Sequence, residues 1–542
     1  DQKNYELSVA NSLTKPKITL KKDSETVSNK SGFKENWLSI NLKKSKDSKE
    51  FIRLSARVEN PELIKGEAIL SNGQKVAWSA TRKADAAPKE KAKQKKTPYL
   101  SPVYSPNNGF GFKQSPEQQS ILFKNVTVWT NEDEGILENT DVLIKDGKIS
   151  KIGKDLKAGK AMEIDGTGKH LTSGIIDEHT HIATVSVNEA GHNSTAEVTM
   201  EDVIDHEDIN IYRNLAGGVT QAQILHGSAN PIGGRSAIIK LKWGETPSNM
   251  IDKKAPKFIK FALGENVKQS RSSSSSRFPQ TRMGVEQVYQ DYFQRAKEYD
   301  ALKKSGAPYR KDIEMDVLAE ILNKERFISC HSYVQSEINM LMKVADRFDF
   351  NINTFTHILE GYKVADKMKE HGVGGSTFSD WWAYKYEVND AIPYNAAIMH
   401  SQGVVTAINS DDAEMSRRLN QEAAKSIKYG GVSEEDAWKF VTLNPAKLLH
   451  IDDRVGSIKV GKEADLVLWT DHPMSINTRA EKTLIEGKIY FDLETDAQMR
   501  KRIQQEKSQL INLMLAEKSK GSPTQKPKKK ENRINHCDTV DF

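Results

Sequence analysis

Residues 173–181 read Ser-Gly-Ile-Ile-Asp-Glu-His-Thr-His, an apolar run that leads into a His-x-His pair. In an extended strand, residues two apart point to the same side, so the imidazoles of His179 and His181 can reach one ion. Barrel enzymes gather their catalytic groups at the carboxyl-terminal ends of parallel strands. The stretch therefore predicts a strand that ends in a pair of metal ligands.

Three later segments with strand-like sequences also end in metal-binding residue types. Phe327–His331 and Ile352–His357 each end in histidine, and Val404–Asp412 ends in two carboxylates. A single histidine is more often a core or surface residue. Four of the 13 histidines at strand ends, together with an aspartate, are hard to explain by packing. We therefore predict a metal site formed by His179, His181, His331, His357 and Asp411.

The region between Leu171 and about Leu449 alternates short apolar strands with helical stretches. The clearest helical patterns cover Val285–Lys303, Asp312–Asn323 and Gln335–Arg347. Strand–helix alternation indicates parallel strands with helices outside, and the length suits a (β/α)8 TIM barrel. We predict an α/β fold with this barrel over residues 173–452.

Sequence typical of β-strands lies on both sides of the predicted barrel. On one side, Ile121–Trp129 reads as a strand, and a hairpin is predicted across Asp146-Gly147. On the other side, strands are predicted in Ala464–Trp469 and Lys482–Tyr490. The remaining predicted segments are an N-terminal β-rich region (residues 1–82), a linker (83–119), a C-terminal helix (496–518) and a basic flexible tail (519–542).

Composition excludes several classes of protein. The net charge is +6, and the seven Lys and Arg residues between Lys518 and Arg533, set against Glu531, account for all of it. The rest of the chain is near neutral, so no nucleic-acid surface is expected. The sequence has no run of about 18 apolar residues, so no membrane span is expected. Two cysteines are too few for a disulfide framework.

The motifs resemble those of the amidohydrolase superfamily. The resemblance rests on Gly174–His181, the single histidines, Ser410-Asp411 and the segment Val455–Val467, and it runs from about Ile121 to Asp492. It implies a composite β-sandwich built from both flanks of the barrel, residues 120–172 and 453–495. Within the superfamily the chain looks most like the imidazolonepropionase-related and prolidase-related branch.

The resemblance also implies roles for the ligands. His179 and His181 would bind one divalent metal, His331 and His357 would bind a second, and Asp411 would act as general base and acid. This agrees with elementary chemistry, because a divalent ion acidifies water and polarises a carbonyl. A nearby carboxylate can then pass the proton to the leaving nitrogen.

The bridging ligand between two metals has two candidates, Lys260 and Glu265. Many relatives with two metals use a carboxylated lysine or a glutamate from a middle strand, and Phe258–Asn266 offers both. Lys260 fits the prolidase-like pattern better, whereas Glu265 lies nearer the expected mouth of the barrel. The two alternatives stay open at the level of sequence.

Three further residues are candidates for substrate binding. His226 lies in the glycine-rich segment Leu225–Arg235, which we interpret as a substrate loop. Arg282 could receive a substrate carboxylate, although a surface ion pair is equally plausible, and Asp380 resembles a position typical of the branch.

The predicted function is hydrolysis of a carbon–nitrogen bond in an amide, a cyclic amide or a small peptide. The metal set suits zinc, as one or two ions, although iron or manganese would use the same ligands. The rival predictions are deamination of a heterocyclic amine on the same scaffold and a non-catalytic binding protein with a degenerate barrel. The expected partner is a small molecule or small peptide, and a homo-oligomer is left open. The branch resemblance points to a periplasmic or secreted location.

Overall fold

The computed structural model describes residues 5–10, 17–22, 25–43, 47–60, 62–82, 102–268, 277–381 and 383–526. The predicted linker up to residue 101 and the tail from residue 527 lie outside these residues. The chain divides into two units. The first unit comprises Asp1–Val103 with Asp496–Glu531, and the second comprises Tyr104–Thr495 with Asn532–Phe542. Within the described residues, no helix is long and apolar enough to cross a membrane.

The first unit contains two antiparallel sheets, as its alternating sequence predicts. In Trp37–Lys43, the side chains of Leu38, Ile40 and Leu42 are buried because alternate residues of a strand face the same side. The strands of the smaller sheet are Glu6–Ala10, Lys17–Lys22 and Glu25–Thr26. Those of the larger sheet, in order, are Ser28–Lys34, Trp37–Lys43, Phe51–Asn60, Leu63–Ile69 and Lys75–Thr81.

A long helix, Leu493–Ser519, contributes most of its length to the first unit. The side-chain amide of Gln504 donates to the carbonyl of Gly73 at 2.5 Å, and the guanidinium of Arg53 donates to the hydroxyl of Ser508 at 3.2 Å. The helix predicted over residues 496–518 is confirmed, and it packs on the larger sheet.

In the second unit, the two flanks of the predicted barrel form one mixed sheet of eight strands. Ile121–Trp129 pairs in parallel with His170–Ser173, which pairs antiparallel with Leu466–Trp469 and so joins the two flanks. The other strands are Ile136–Lys145, Lys148–Gly153, Met162–Asp165, Ala480–Ile485 and Lys488–Asp492. The strands predicted on both flanks are confirmed.

Between the flanks, parallel strands alternate with helices as predicted. In the described part of the chain the parallel strands are Ile175–Thr180, Val219–Ile224, Lys257–Ala262, Arg326–His331, Thr354–Thr356, Gly374–Thr377 and Thr406–Ile408. The α-helices are Ile209–Leu215, Pro247–Met250, Arg282–Lys304, Ile313–Leu322, Gln335–Phe348, Ala365–His371, Asn395–Ser401, Leu419–Gly430, Glu434–Lys439 and Leu443–Leu448.

Between the second and third parallel strands lie two short strands that pair antiparallel with their neighbours. Ala237–Lys240 pairs with Val219–Ile224, and the adjoining Ile232–Arg235 pairs with Lys257–Ala262. The loop predicted over Leu225–Arg235 is therefore wrong for its last four residues. A Cβ atom on Gly234 would lie 2.6 Å from a methyl carbon of Val198, so the glycine permits close packing that a longer residue would obstruct.

The last residues predicted to be linker, from Tyr104 onward, belong to the second unit and contact its other residues. The indole of Trp243 donates to the carbonyl of Phe110 at 3.0 Å, and the hydroxyl of Ser105 donates to the carbonyl of Gly244 at 2.9 Å. Trp243 is fully buried in the core cluster that packs around the first strands of the series.

A buried lysine holds three carboxylates together on the second unit. The ammonium of Lys240, 2% exposed, lies 2.5 Å from Glu463, 2.9 Å from Asp465 and 3.1 Å from Glu486. Removal of one partner from a buried ion pair leaves uncompensated charge, which typically costs about 3–5 kcal/mol. We expect Lys240→Met to lower the free energy of unfolding by about that amount in urea titrations at neutral pH.

The neighbouring lysine provides a matched control for this prediction. Lys242 is more exposed and pairs with Glu486 at 2.9 Å, and Glu486 keeps Lys240 when Lys242 is removed. We expect Lys242→Met to cost less than about 1 kcal/mol. Equal losses in the two variants would contradict the view that Lys240 neutralises the buried carboxylates.

Candidate metal centre

The predicted ligands lie at the carboxyl-terminal ends of the parallel strands. His179 lies in the strand Ile175–Thr180 and His181 follows it, while His331 is the last residue of its own strand. His357 directly follows Thr354–Thr356, and Asp411 lies three residues after Thr406–Ile408. All four imidazoles are buried. Parallel pairing therefore brings together side chains that are up to 232 positions apart in the sequence (411 − 179).

The closest group consists of His179, His181 and Asp411. Within the described part of the chain, one ligand atom from each lies within 4.8 Å of the others. The Nε2 atoms of the two histidines are 3.2 Å apart, and Oδ1 of Asp411 lies 3.1 Å from Nε2 of His181 and 3.6 Å from Nε2 of His179. Oδ2 of the same carboxylate lies 3.6 Å from Nε2 of His357, whose ring centre is 5.2 Å from that of His331.

These distances fit a divalent cation. Two ligand atoms at about 2.0–2.1 Å from a tetrahedral ion are roughly 3.3 Å apart, close to the spacing of His179, His181 and Asp411. In addition, both ring nitrogens of His331 are buried and have no hydrogen-bond partner within the described residues. A buried polar group without a partner is costly, and coordination of a cation would satisfy it.

Electrostatics favours the protonation states that bind metal. Burial lowers the pKa of all four imidazoles, to about 3 for His357, so the rings are neutral and can offer lone pairs. Burial by itself would raise the pKa of Asp411, but the neighbouring polar groups of His357, His181 and Lys260 outweigh burial and lower that pKa overall. The centre therefore combines neutral nitrogen donors with an ionised carboxylate.

The backbone at two of these residues is in the left-handed region. His357 has a φ of 57° and Asp411 a φ of 49°. Such conformations cost energy in residues with a Cβ atom and are concentrated at functional sites. The amide of Asp411 also donates to the carbonyl of His179 at 3.0 Å, which links the last strand of the series to the first.

Asp177 supports the centre and was not a sequence candidate. Its carboxylate accepts hydrogen bonds from the amide of His179 at 3.3 Å, the amide of Ser410 at 3.1 Å and the hydroxyl of Ser410 at 2.5 Å. It thereby anchors the segment that carries Asp411. The available signal was its position two residues before His179, on the same side of the strand.

The structure separates the two candidates for the bridging position. Nζ of Lys260, fully buried, lies 3.0 Å from Nε2 of His179 and so reaches the closest group. Glu265 lies beyond the end of the strand Lys257–Ala262, and its amide donates to the carboxylate of Glu387 at 2.9 Å. Glu265 is not part of the closest group defined above.

His226, one of the predicted substrate-binding residues, is engaged by the backbone. Its Nδ1 lies 2.9 Å from the carbonyl of Gly227, and its Nε2 accepts from the amide of Glu189 at 2.8 Å. Burial lowers the pKa of His226 to about 4, so the ring is neutral. The two contacts fix the orientation of the ring, and the nearby positive charge of Lys260 adds to the effect of burial on its pKa.

Arg282 and Asp380 are paired with side chains of the protein. Nε of Arg282, the first residue of its helix, lies 2.7 Å from Oε1 of the buried Glu337. Oδ1 of Asp380 accepts from the ammonium of Lys425 at 2.9 Å. The substrate-binding roles of His226, Arg282 and Asp380 stay predictions.

Buried imidazoles and a carboxylate at the ends of parallel strands form a site of the metallohydrolase type. Residues 171–492 match the amidohydrolase family. This match covers more than half of the chain, which therefore belongs to the amidohydrolase family. The superfamily predicted from the motifs is confirmed.

Three similar proteins extend this comparison. A crystal structure of an amidohydrolase from Thermotoga maritima is 33% identical, has a TM-score of 0.64, and covers 69% of this chain and 100% of its own. Amidohydrolase tasK of Hapsidospora irregularis is 28% identical over 68% of this chain, which spans 43% of the length of that relative. The imidazolonepropionase of Thermoplasma volcanium is 23% identical over 66% of this chain and 91% of its own.

Proposed function

We propose that this protein is a metal-dependent amidohydrolase that uses water to cleave a carbon–nitrogen bond in an amide, a cyclic amide or a small peptide. The observation that carries the proposal is the convergence of two imidazole nitrogens and the Asp411 carboxylate within 4.8 Å. Membership of the amidohydrolase family and the named hydrolase relatives support the same type of reaction.

The proposed ligands form two groups around one bridging residue. His179, His181 and Asp411 would hold one ion, and His331 and His357 would hold a second. Lys260 would bridge them after its amine has added carbon dioxide and lost a proton, because a lysine ammonium cannot itself be a ligand. Its position 3.0 Å from Nε2 of His179 supports this assignment over Glu265. Zinc suits the nitrogen-rich set.

Asp411 carries the proton transfer in the proposed reaction. When bound, the cation supplies a more acidic water molecule and a polarised substrate carbonyl. Asp411 then takes a proton from the attacking water and donates it to the leaving nitrogen. The lowered pKa of Asp411 keeps the carboxylate ionised, so it is able to accept this proton.

The fold details beyond the family level are also part of the proposal. We infer that the seven parallel strands of the described residues and the antiparallel Ile232–Lys240 segment close into an eight-membered barrel. The hydrogen bond between Asp411 and His179 supports closure between the last and first strands. We infer further that the eight-stranded sheet of the flanks folds into a β-sandwich.

Metal removal and product analysis test this function. We expect a chelator to abolish hydrolysis of a panel of dipeptides, N-acyl amino acids and cyclic amides, and Zn²⁺ to restore it, because no step proceeds without the cation. The expected products are a carboxylate and an amine. Ammonia released from a heterocyclic amine would favour the deaminase alternative, and a metal-loaded protein that is inactive on the whole panel would favour the binding protein.

A further inference from the structure

We propose that four aromatic side chains beside the metal centre bind an apolar group of the substrate next to the scissile bond. The four are Tyr333, Phe378, Trp381 and Tyr384, and we call them the aromatic wall. The inference rests on the proposed function and narrows its substrates to those that carry an aromatic or large aliphatic group.

The strand order places most of the wall beside the metal centre. Three of its members lie in the segment after the strand Gly374–Thr377, which pairs with Thr354–Thr356 on one side and Thr406–Ile408 on the other. His357 follows the first of these neighbours, and Asp411 lies just after the second. The segment therefore begins between two of the proposed ligands, at the edge where folds with parallel strands and outer helices bind their ligands.

Ring contacts extend outward from the proposed ligand His357. The ring of Phe378 stacks on that of His357 with the ring centres 4.8 Å apart, and Trp381 stacks on Phe378 at 4.6 Å. Tyr384 packs edge-on against Trp381 at 6.0 Å. A group bound against these rings would therefore lie next to the metal centre.

Exposure increases along this series of rings. The side chain of Phe378 is 2% exposed, Trp381 is half-buried, and Tyr384 is 49% exposed. The carboxylate of Asp411 is 12% exposed, so the centre itself can be reached from solvent. A stack that only filled the core would be buried throughout. Here an apolar group of the substrate can cover Trp381 and Tyr384, and removal of their surface from water favours binding.

Side-chain contacts hold the wall in place before any substrate binds. The ammonium of Lys425 donates to Oδ1 of Asp380, the neighbour of Trp381, at 2.9 Å. The hydroxyl of Tyr384 donates to that of Tyr333 at 3.3 Å, and the ring centre of Tyr333 is 4.6 Å from that of His331. Rings that are already ordered lose little conformational entropy when a ligand binds.

The charges beside the wall favour an apolar group over a carboxylate. Nζ of Lys385 lies 4.5 Å from the ring centre of Tyr333 and 5.7 Å from that of Tyr384. The same ammonium pairs with Oε1 of the buried Glu387 at 3.2 Å. The positive charge among the rings is thus balanced within the protein, so it does not call for a negatively charged substrate group.

The test uses pairs of substrates from the same panel that differ only in a phenylmethyl or a methyl group next to the scissile bond. The group lies on the acyl side in one pair and on the leaving-group side in the other. We expect wild-type kcat/KM to favour the phenylmethyl substrate of at least one pair by at least about 10-fold, the lower effect of one methylene in an apolar pocket. Equal values within both pairs would overturn the aromatic wall and leave the proposed function intact.

Trp381→Ala is expected to lower kcat/KM for the preferred phenylmethyl substrate at least about 10-fold more than for its methyl partner. The loss should lie mainly in KM, because the wall contacts a group that does not react and binds it equally in the ground and transition states. Tyr384→Ala, at an exposed position that tolerates truncation, should shift the preference in the same direction. Equal losses on both members of the pair would contradict a side-chain site.

Tyr386→Ala is the matched control for a lost aromatic ring. Tyr386 lies in the same segment, but its side chain is 87% exposed. Its preference is expected to stay at the wild-type value, and Tm values check that each variant folds. Unchanged preference in folded Trp381→Ala and Tyr384→Ala would overturn the aromatic wall alone. A protein that is inactive on the whole panel would overturn both the wall and the proposed function.

Discussion

Replacement of Asp411 by asparagine is expected to lower kcat/KM by about 10²–10⁴-fold, the usual contribution of general acid–base catalysis. An amide has nearly the shape of a carboxylate but cannot accept and return the proton. Asparagine also tolerates the left-handed backbone that Asp411 adopts at a φ of 49°, so the fold should be retained. Steady-state kinetics on the best substrate of the panel measures the loss, and Tm values verify folding.

Asp412→Asn is the control for this substitution. The carboxylate of Asp412 accepts from the amides of Glu414 and Met415, both at 2.8 Å, and asparagine can make the same contacts. We expect this variant to keep its activity. Similar losses in both variants would indicate a general electrostatic or structural effect, and full activity in Asp411→Asn would refute the proton-transfer role.

Lys260→Ala is expected to reduce bound metal from two ions to one, as measured by elemental analysis of protein purified without chelators. The reason is that Nζ of Lys260 lies 3.0 Å from Nε2 of His179, and under the proposed function the carboxylated side chain would hold both ions. Loss of a hydrogen-bond partner of a metal ligand typically lowers metal affinity or activity by about 10–100-fold. A bridging ligand binds the metal directly, so we expect activity to fall by at least that factor.

The same measurement on Glu265→Ala distinguishes the two candidates for the bridge. We expect this variant to retain two ions, because Glu265 lies beyond the end of the strand Lys257–Ala262, whereas Nζ of Lys260 lies 3.0 Å from Nε2 of His179. One ion in Glu265→Ala with two in Lys260→Ala would reverse the assignment. One ion in the wild type and in both variants would favour a mononuclear site.

The positions of the candidate ligands at strand ends could be predicted because their signals are local in sequence. The spacing of His179 and His181 follows from the two-residue period of a strand, and an apolar run before each later ligand marks a strand end. The helices also follow from local patterns: the prediction for Gln335–Arg347 differs by one residue from the observed Gln335–Phe348. These features depend on neighbours within a few positions.

Other features depend on contacts between distant segments. The antiparallel Ile232–Lys240 segment looks like a loop in the sequence because its glycines signal turns, whereas in the fold they permit close packing beside Val198 and His226. For Arg282 the sequence left a substrate contact and an ion pair open, and Asp380 was a candidate for substrate binding. Their partners Glu337 and Lys425 lie 55 and 45 positions further along the chain (337 − 282, 425 − 380).

The sequence by itself determined the family, the alternation of strands and helices, and the residue types at the strand ends. Each of these depends on patterns among residues that are close together in the sequence. The tertiary structure alone decided that Lys260 lies 3.0 Å from His179, that Asp177 accepts hydrogen bonds from Ser410 beside Asp411, and that Thr356 contacts both His179 and Glu178. The physical reason is that the pairing of parallel strands sets which strand ends lie side by side. Hydrogen bonds between those ends join residues far apart in sequence, so no local sequence pattern indicates them.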